Sequence, residues 1–157
     1  MLNIIISILN NYIVKVAAVS WMVAQTIKII LYYIVHKEVS LERIFGAGGM
    51  PSSHSALVCS TCVATYKQCG SDSAIFAISV VLAGIVMYDA MGVRRAAGEQ
   101  AKVINKIIID PIKKDMNNAK DNIFENITVK TLKELLGHTP LEVLGGAILG
   151  IGIALLF

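Results

Sequence analysis

Apolar residues in this chain come in long uninterrupted blocks, separated by short polar turns and one long charged stretch. Residues 12–36 are long enough to cross a bilayer, and residues 73–93 and 139–157 each come near the roughly 20 residues that a crossing helix requires. A fourth block, residues 52–69, is shorter and carries Ser55, Ser60, Thr61 and Thr65, hydroxyls suited to a helix packed inside a bundle. Residues 2–9 form an apolar lead-in that lies at the interface or extends the first helix. They have neither the basic start nor the small-residue cleavage site of a removable signal peptide. Gly145, Gly146, Gly150 and Gly152 give the last block small-residue faces that favour close helix contact, and self-association, most simply as a homodimer, is expected from them.

The polar stretch between the third and fourth spans, residues 94–138, is too long for a simple loop and reads as a helical insertion. Ala97, Ala101, Ile104 and Ile108 recur at helical spacing, and Val129, Leu132 and Leu136 do so again before Gly137, a C-cap in this reading. Asp110-Pro111 is expected to break the run. Asp110 with Lys114 and Lys130 with Glu134 stand at the spacing of solvated ion pairs. Asp110, Asp115, Asp121 and Glu125 accordingly face water rather than a metal, and the sequon at Asn126-Ile127-Thr128 is a chance match.

Composition turns these blocks into a class. The chain has 157 residues, of which 55% are hydrophobic and 16% charged, and a mean hydropathy of +0.68, too apolar for an ordinary soluble domain. The expected fold is all-α: a single domain over 1–157, a polytopic membrane helix bundle of about four transmembrane helices with amphipathic cytoplasmic helices in 94–138. All but three of its 14 Lys and Arg residues fall in 37–50 and 94–138, the exceptions being Lys15, Lys28 and Lys67. The positive-inside rule makes that side cytoplasmic, so an integral protein of a bacterial plasma membrane is expected, its site on the cytoplasmic face. Cys59, Cys62 and Cys69 fall on one apolar helix without a second pair or a redox-type pattern, and read as small thiols.

Candidate chemistry gathers at the loaded ends. Met50-Pro51-Ser52-Ser53-His54-Ser55 joins a proline suited to a first helical turn, hydroxyls that cap a helix or bond phosphate, and an imidazole that titrates near neutrality. Gly137-His138-Thr139-Pro140-Leu141-Glu142 opens the last block in the same way. Thr139 and Glu142 fit a capping box, and Glu142 also stands four residues beyond His138, on the same helical face, where a carboxylate would accept its ring N–H. Lys28 lies inside the first span with Gln25 one turn earlier, and ionisable residues in membrane segments are functional candidates. Asp89 closes the third span before Arg94 and Arg95. An arginine there would grip phosphate in a bidentate fork, and Asp89 would pair with Lys28 or an arginine.

This set resembles the type 2 phosphatidic acid phosphatase superfamily, which includes the vanadium-dependent haloperoxidases, and in particular its small divergent branch. The superfamily pattern is Lys-x6-Arg-Pro, Pro-Ser-Gly-His and Ser-Arg-x5-His-x3-Asp. Lys28 answers the first part, Pro51-Ser52-Ser53-His54 the second, and Arg94 or Arg95 with His138 and Glu142 the third. Val35 and His36 stand where Arg-Pro is usual, Ser53 replaces glycine, Glu142 replaces aspartate, and the third motif is split by the insertion. The resemblance implies metal-independent cleavage of a lipid phosphate or diphosphate, with no cofactor. His138 would be the nucleophile that becomes phosphohistidine, Glu142 its holder and His54 the acid. Lys28, Ser52, Ser53 and an arginine would bind phosphate, supported by Gln25 and Asp89. Membrane lipid is then the expected partner, and nucleic acid is not. The alternative is a non-catalytic protein that binds or transports an anionic phospholipid headgroup in the same cationic pocket.

Overall fold

The computed structural model describes residues 2–37, 48–112, 131–134 and 136–157, and every regular element among them is helical. The helices are α1 (Leu2–Asn10), α2 (Tyr12–His36), α3 (Ser53–Cys69), α4 (Ala74–Met91), α5 (Val93–Ile104) and α6 (Pro140–Leu156). A π-helical turn, Asn105–Ile109, prolongs α5. Polar side chains set the starts. Asn11, Ser52, Ser73 and Thr139 each accept a backbone N–H from the first turn that follows, ahead of α2, α3, α4 and α6. Lys37 ends α2 in the left-handed region at φ 58°, donating its N–H to the Tyr33 carbonyl.

Helix α3 sits at the centre, packed on α2, α4 and α6, while α2 also reaches α6. The residues that meet there are small or polar. Val16, Ser20, Ala24 and Lys28 of α2, Ser52, Ala56, Ser60 and Ala64 at α3, and Gly146, Gly150 and Ala154 of α6 are buried, each row at a spacing of four. Large aliphatic side chains point the other way: Ile78, Val81, Ile85, Ile148 and Leu155 are each more than 60% exposed. Small residues inside and bulky apolar residues outside are the arrangement of helices that meet closely in lipid. Backbones at the α3–α6 contact lie so near that a Cβ on Gly150 would stand 2.8 Å from the Ala56 Cα. Gly146 is equally confined by Ser52 and Ser55, whereas Gly152 meets nothing within 4 Å.

Among the described residues, two helices are long and apolar enough to cross a membrane: α2, and the continuous run of 39 residues from Ala74 to Ile112 that contains α4 and α5. Helix α6 is apolar but has 17 residues, and α3 is of the same length. At the end of the bundle away from Pro51, Lys67 donates to the carbonyls of Ala154 and Leu155, closing the C-terminus of α6.

Five local expectations are corrected. Pro51 is not in the first helical turn but precedes the N-cap Ser52, after a cis Met50–Pro51 peptide. Asp110-Pro111 does not break the helix, which continues through Ile112. Proline lacks an N–H and its ring strikes the carbonyl four residues back, and the π turn immediately before it widens the backbone at that place. Residues 131–134 and 136 are not helical. The Asn105 side chain holds the Leu132 backbone at one end, and the His138 N–H bonds the Ala90 carbonyl at the other. Those anchors lie about 22 Å apart along α4 and α5 at helical rise, whereas seven helical residues would cover only about 10 Å. The buried face of α5 is likewise Gly98, Ala101 and Asn105, not the row that includes Ala97, Ile104 and Ile108. Gly137, at φ +80°, therefore turns the chain against α5 instead of ending a helix. Lys114, Lys130, Asp115, Asp121, Glu125 and the sequon at 126–128 lie outside the described residues.

Candidate active site

The starts of α3 and α6 lie side by side because small residues let the two helices approach. Ser52 donates its N–H to the Glu142 carbonyl at 2.9 Å, and its own carbonyl lies against Gly146. Two helix N-termini, each with unpaired amides and a positive dipole end, thus converge on one place. Ser52 acts there as a cap. Its Oγ accepts from the Ser55 N–H at 3.3 Å and the Ser55 hydroxyl at 3.0 Å, and both Ser52 and Ser53 are buried.

His138 is buried at the start of α6, and its Nδ1 lies 2.9 Å from Glu142 Oε2. The same oxygen accepts the Thr139 N–H at 3.3 Å, while the Glu142 N–H donates to Thr139 Oγ1 at 3.3 Å. Glu142 therefore performs both tasks foreseen for it, closing the capping box and holding the imidazole. With Nδ1 occupied as the N–H donor, the lone pair is left on Nε2. That atom is buried and has no hydrogen-bond partner among the described residues. The His54 ring stands 6.3 Å from the His138 ring, centroid to centroid, at 61° and exposed on the first turn of α3.

Burial lowers the His138 pKa below its ordinary value; the hydrogen bond and charge of Glu142 and the Gly49 backbone oppose that shift in part, and Lys28 adds to it. The net shift favours the neutral imidazole, the form in which a histidine nitrogen has a lone pair to offer. Lys28 is the last member of the buried row on α2, 4% exposed, and its charge reaches both imidazoles. It does not extend to solvent. Gln25 is half-buried one turn earlier.

Arg94 pairs with Asp89 at 2.5 Å, so an arginine is a partner of Asp89. Arg95 lines a cavity of 220 Å³ with Glu99, Lys102, Glu134, His138 and Glu142. A second cavity of 210 Å³, lined by Lys28, Tyr32, His36 and Met50, shares Gly49 with the first. Gly48 and Gly49, at φ 157° and 85°, supply that partition. Neither glycine is among the candidates named from the sequence, although Gly46-Ala47-Gly48-Gly49 before Met50-Pro51 signals a close backbone approach. Gly137 packs on the backbone of Arg94 and Arg95 so closely that no Cβ would fit, so the two parts of the split motif adjoin in space. Among the described residues no group of three or more His, Cys, Asp or Glu is arranged to hold a metal ion. Cys59, Cys62 and Cys69 are free thiols away from this end of the bundle.

Residues 9–153 match the divergent PAP2 family. The chain belongs to that family. A relative named uncharacterized membrane protein YuiD, from Bacillus subtilis (strain 168), is 43% identical over 150 residues, which cover 94% of each chain. No solved structure matches the chain significantly. With the outward-facing aliphatic residues and the two crossing-length helices, the family assignment makes this a divergent PAP2 membrane protein.

Proposed function

We propose that the protein is a metal-independent phosphohydrolase acting on a lipid phosphate or diphosphate at the cytoplasmic face of a four-crossing bundle. The observation that carries this reading is the His138 ring, held at Nδ1 by Glu142, with its buried Nε2 unpartnered among the described residues and a second imidazole 6.3 Å away. In the first step Nε2 attacks phosphorus, the P–O ester bond breaks, and His54 gives its proton to the departing alkoxide. Neutral His54 then takes a proton from water, whose oxygen attacks the phosphohistidine and releases phosphate. Lys28, the arginine beside the site and the two helix N-termini stabilise charge on the phosphoryl oxygens. The buried lysine near both imidazoles supports this assignment.

Four crossings fit the alternation of the long helices, since α2 and α4 end, and α3 and α6 begin, at the end that carries Arg94, Arg95, Lys102 and Lys106. The test is phosphate release from lipid phosphate by the detergent-purified chain in EDTA. Turnover is expected to survive chelation, to vanish in His138→Ala, and to fall on the order of 10²-fold in His54→Ala and Glu142→Gln, since glutamine retains the cap but not the charge. Tight binding of the lipid phosphate without turnover would instead identify an anionic-headgroup binding protein.

A further inference from the structure

Four contacts tie residues 132–134 and 136–138 to α5 and the end of α4 in reverse order. Leu132 is held by Asn105, the Glu134 and Leu136 backbones lie on Gly98, Gly137 lies on Arg94 and Arg95, and the His138 N–H donates to the Ala90 carbonyl. Asn105 is the clamp farthest from the site. It is 2% exposed and begins the π turn, an irregularity often found where a helix serves function. Its Oδ1 accepts the Leu132 N–H at 2.9 Å, and its Nδ2 donates to the Leu132 carbonyl at 2.9 Å and to Glu134 Oε1 at 2.7 Å. The amide thus meets a backbone N–H and C=O as a neighbouring strand would, and its second N–H fixes a carboxylate that lines the His138 cavity.

We infer that Asn105 is a positioning residue, and that the Gly98–Ala101–Asn105 face of α5 is a rail on which the segment leading into His138 is registered against Glu142 and His54. The inference rests on the phosphohydrolase reading for its kinetic consequence but not for its geometric one. Without the clamp the segment slides. The His138 ring then loses its fixed approach to Glu142 and to the phosphoryl group, and displacement by an ångström costs on the order of 10²-fold in rate. Gly98 provides an independent handle, because a Cβ there would stand 2.7 Å from the Glu134 carbonyl oxygen and lift the segment off the rail.

The experiment uses the full chain in detergent, labelled with ¹⁵N in its histidine rings, as wild type, Asn105→Ala and Gly98→Ala. Wild-type His138 is expected to give a single tautomer with Nδ1 protonated. In both variants it is expected to give a tautomer mixture at unchanged helix content, with kcat at least tenfold lower and KM within about twofold. An unchanged His138 signal in either folded variant overturns the inference, as does loss of helical structure in both, which would make the rail part of the general fold. A wild type without turnover but with the tautomer change in the variants refutes only the phosphohydrolase reading.

Discussion

At His138 the two ring nitrogens have separate tasks. Nδ1 is held by Glu142, and Nε2 is buried without a partner among the described residues. Burial also fixes the sign of the pH response. Because the folded-state pKa lies below the ordinary value of about 6.5, the unfolded chain binds the proton first as pH falls. The site therefore contributes its full stability above about pH 6.5 and loses part of it as pH drops through that value. For the proposed reaction the same shift favours a neutral His138 into mildly acid solution. The acid limb of kcat/KM is expected below pH 6.5, and a pH–rate profile of the purified chain checks it; a limb above that value would contradict a buried neutral imidazole. Ser52 is the residue whose role the sequence left open between cap and ligand, and its cap role is in place: Ser55 donates to the Oγ from its N–H and its hydroxyl, which leaves the Ser52 O–H itself as the group that would meet a phosphate.

At the scale of elements, legibility followed the range of the forces involved. The extents of α2, α3, α4 and α6 were readable to within about two residues, because apolar blocks and their capping residues are local signals. The pairing of His138 with Glu142 was legible from their spacing of four, although His138 precedes the N-cap Thr139 and so lies outside α6, where helical spacing alone does not fix its ring. The course of residues 131–134 and 136 was not readable. Leu132 and Leu136 carry helical spacing, yet the Asn105 amide and the Gly98 surface, distant in sequence, hold that backbone in another form. Pro111 misled for a similar reason, since the π turn that accommodates it has no sequence signature. Close approach of α3 and α6 is what brings the two helix starts together, and it depends on glycine. Gly150→Ala is expected to lower stability by about 1–3 kcal/mol through overpacking against Ala56. Gly152→Ala, in open space, is expected to raise it by up to about 1 kcal/mol through helix propensity. Thermal denaturation in detergent distinguishes them, and shifts of the same sign would contradict the packing described for α6.

The whole molecule is organised so that side chains from four helices reach one end: Lys28 from α2, His54 from α3, Arg95 from α5 and His138 with Glu142 at α6. Membership of the divergent PAP2 family accounts for the membrane character and for the motif remnants, and the departures from the superfamily pattern are partly compensated in space. The Gly137 turn sets His138 beside the arginines despite the intervening segment, and Glu142 still reaches the ring in place of aspartate. A bundle built this way is expected to convert a membrane lipid phosphate by covalent catalysis, and the most direct measurement is rapid alkaline quenching of the purified chain during turnover of ³²P-labelled lipid phosphate, followed by peptide mapping. The expected result is acid-labile, base-stable label on the peptide that contains His138, absent from His138→Ala; phosphate release with no label on His138 would contradict it.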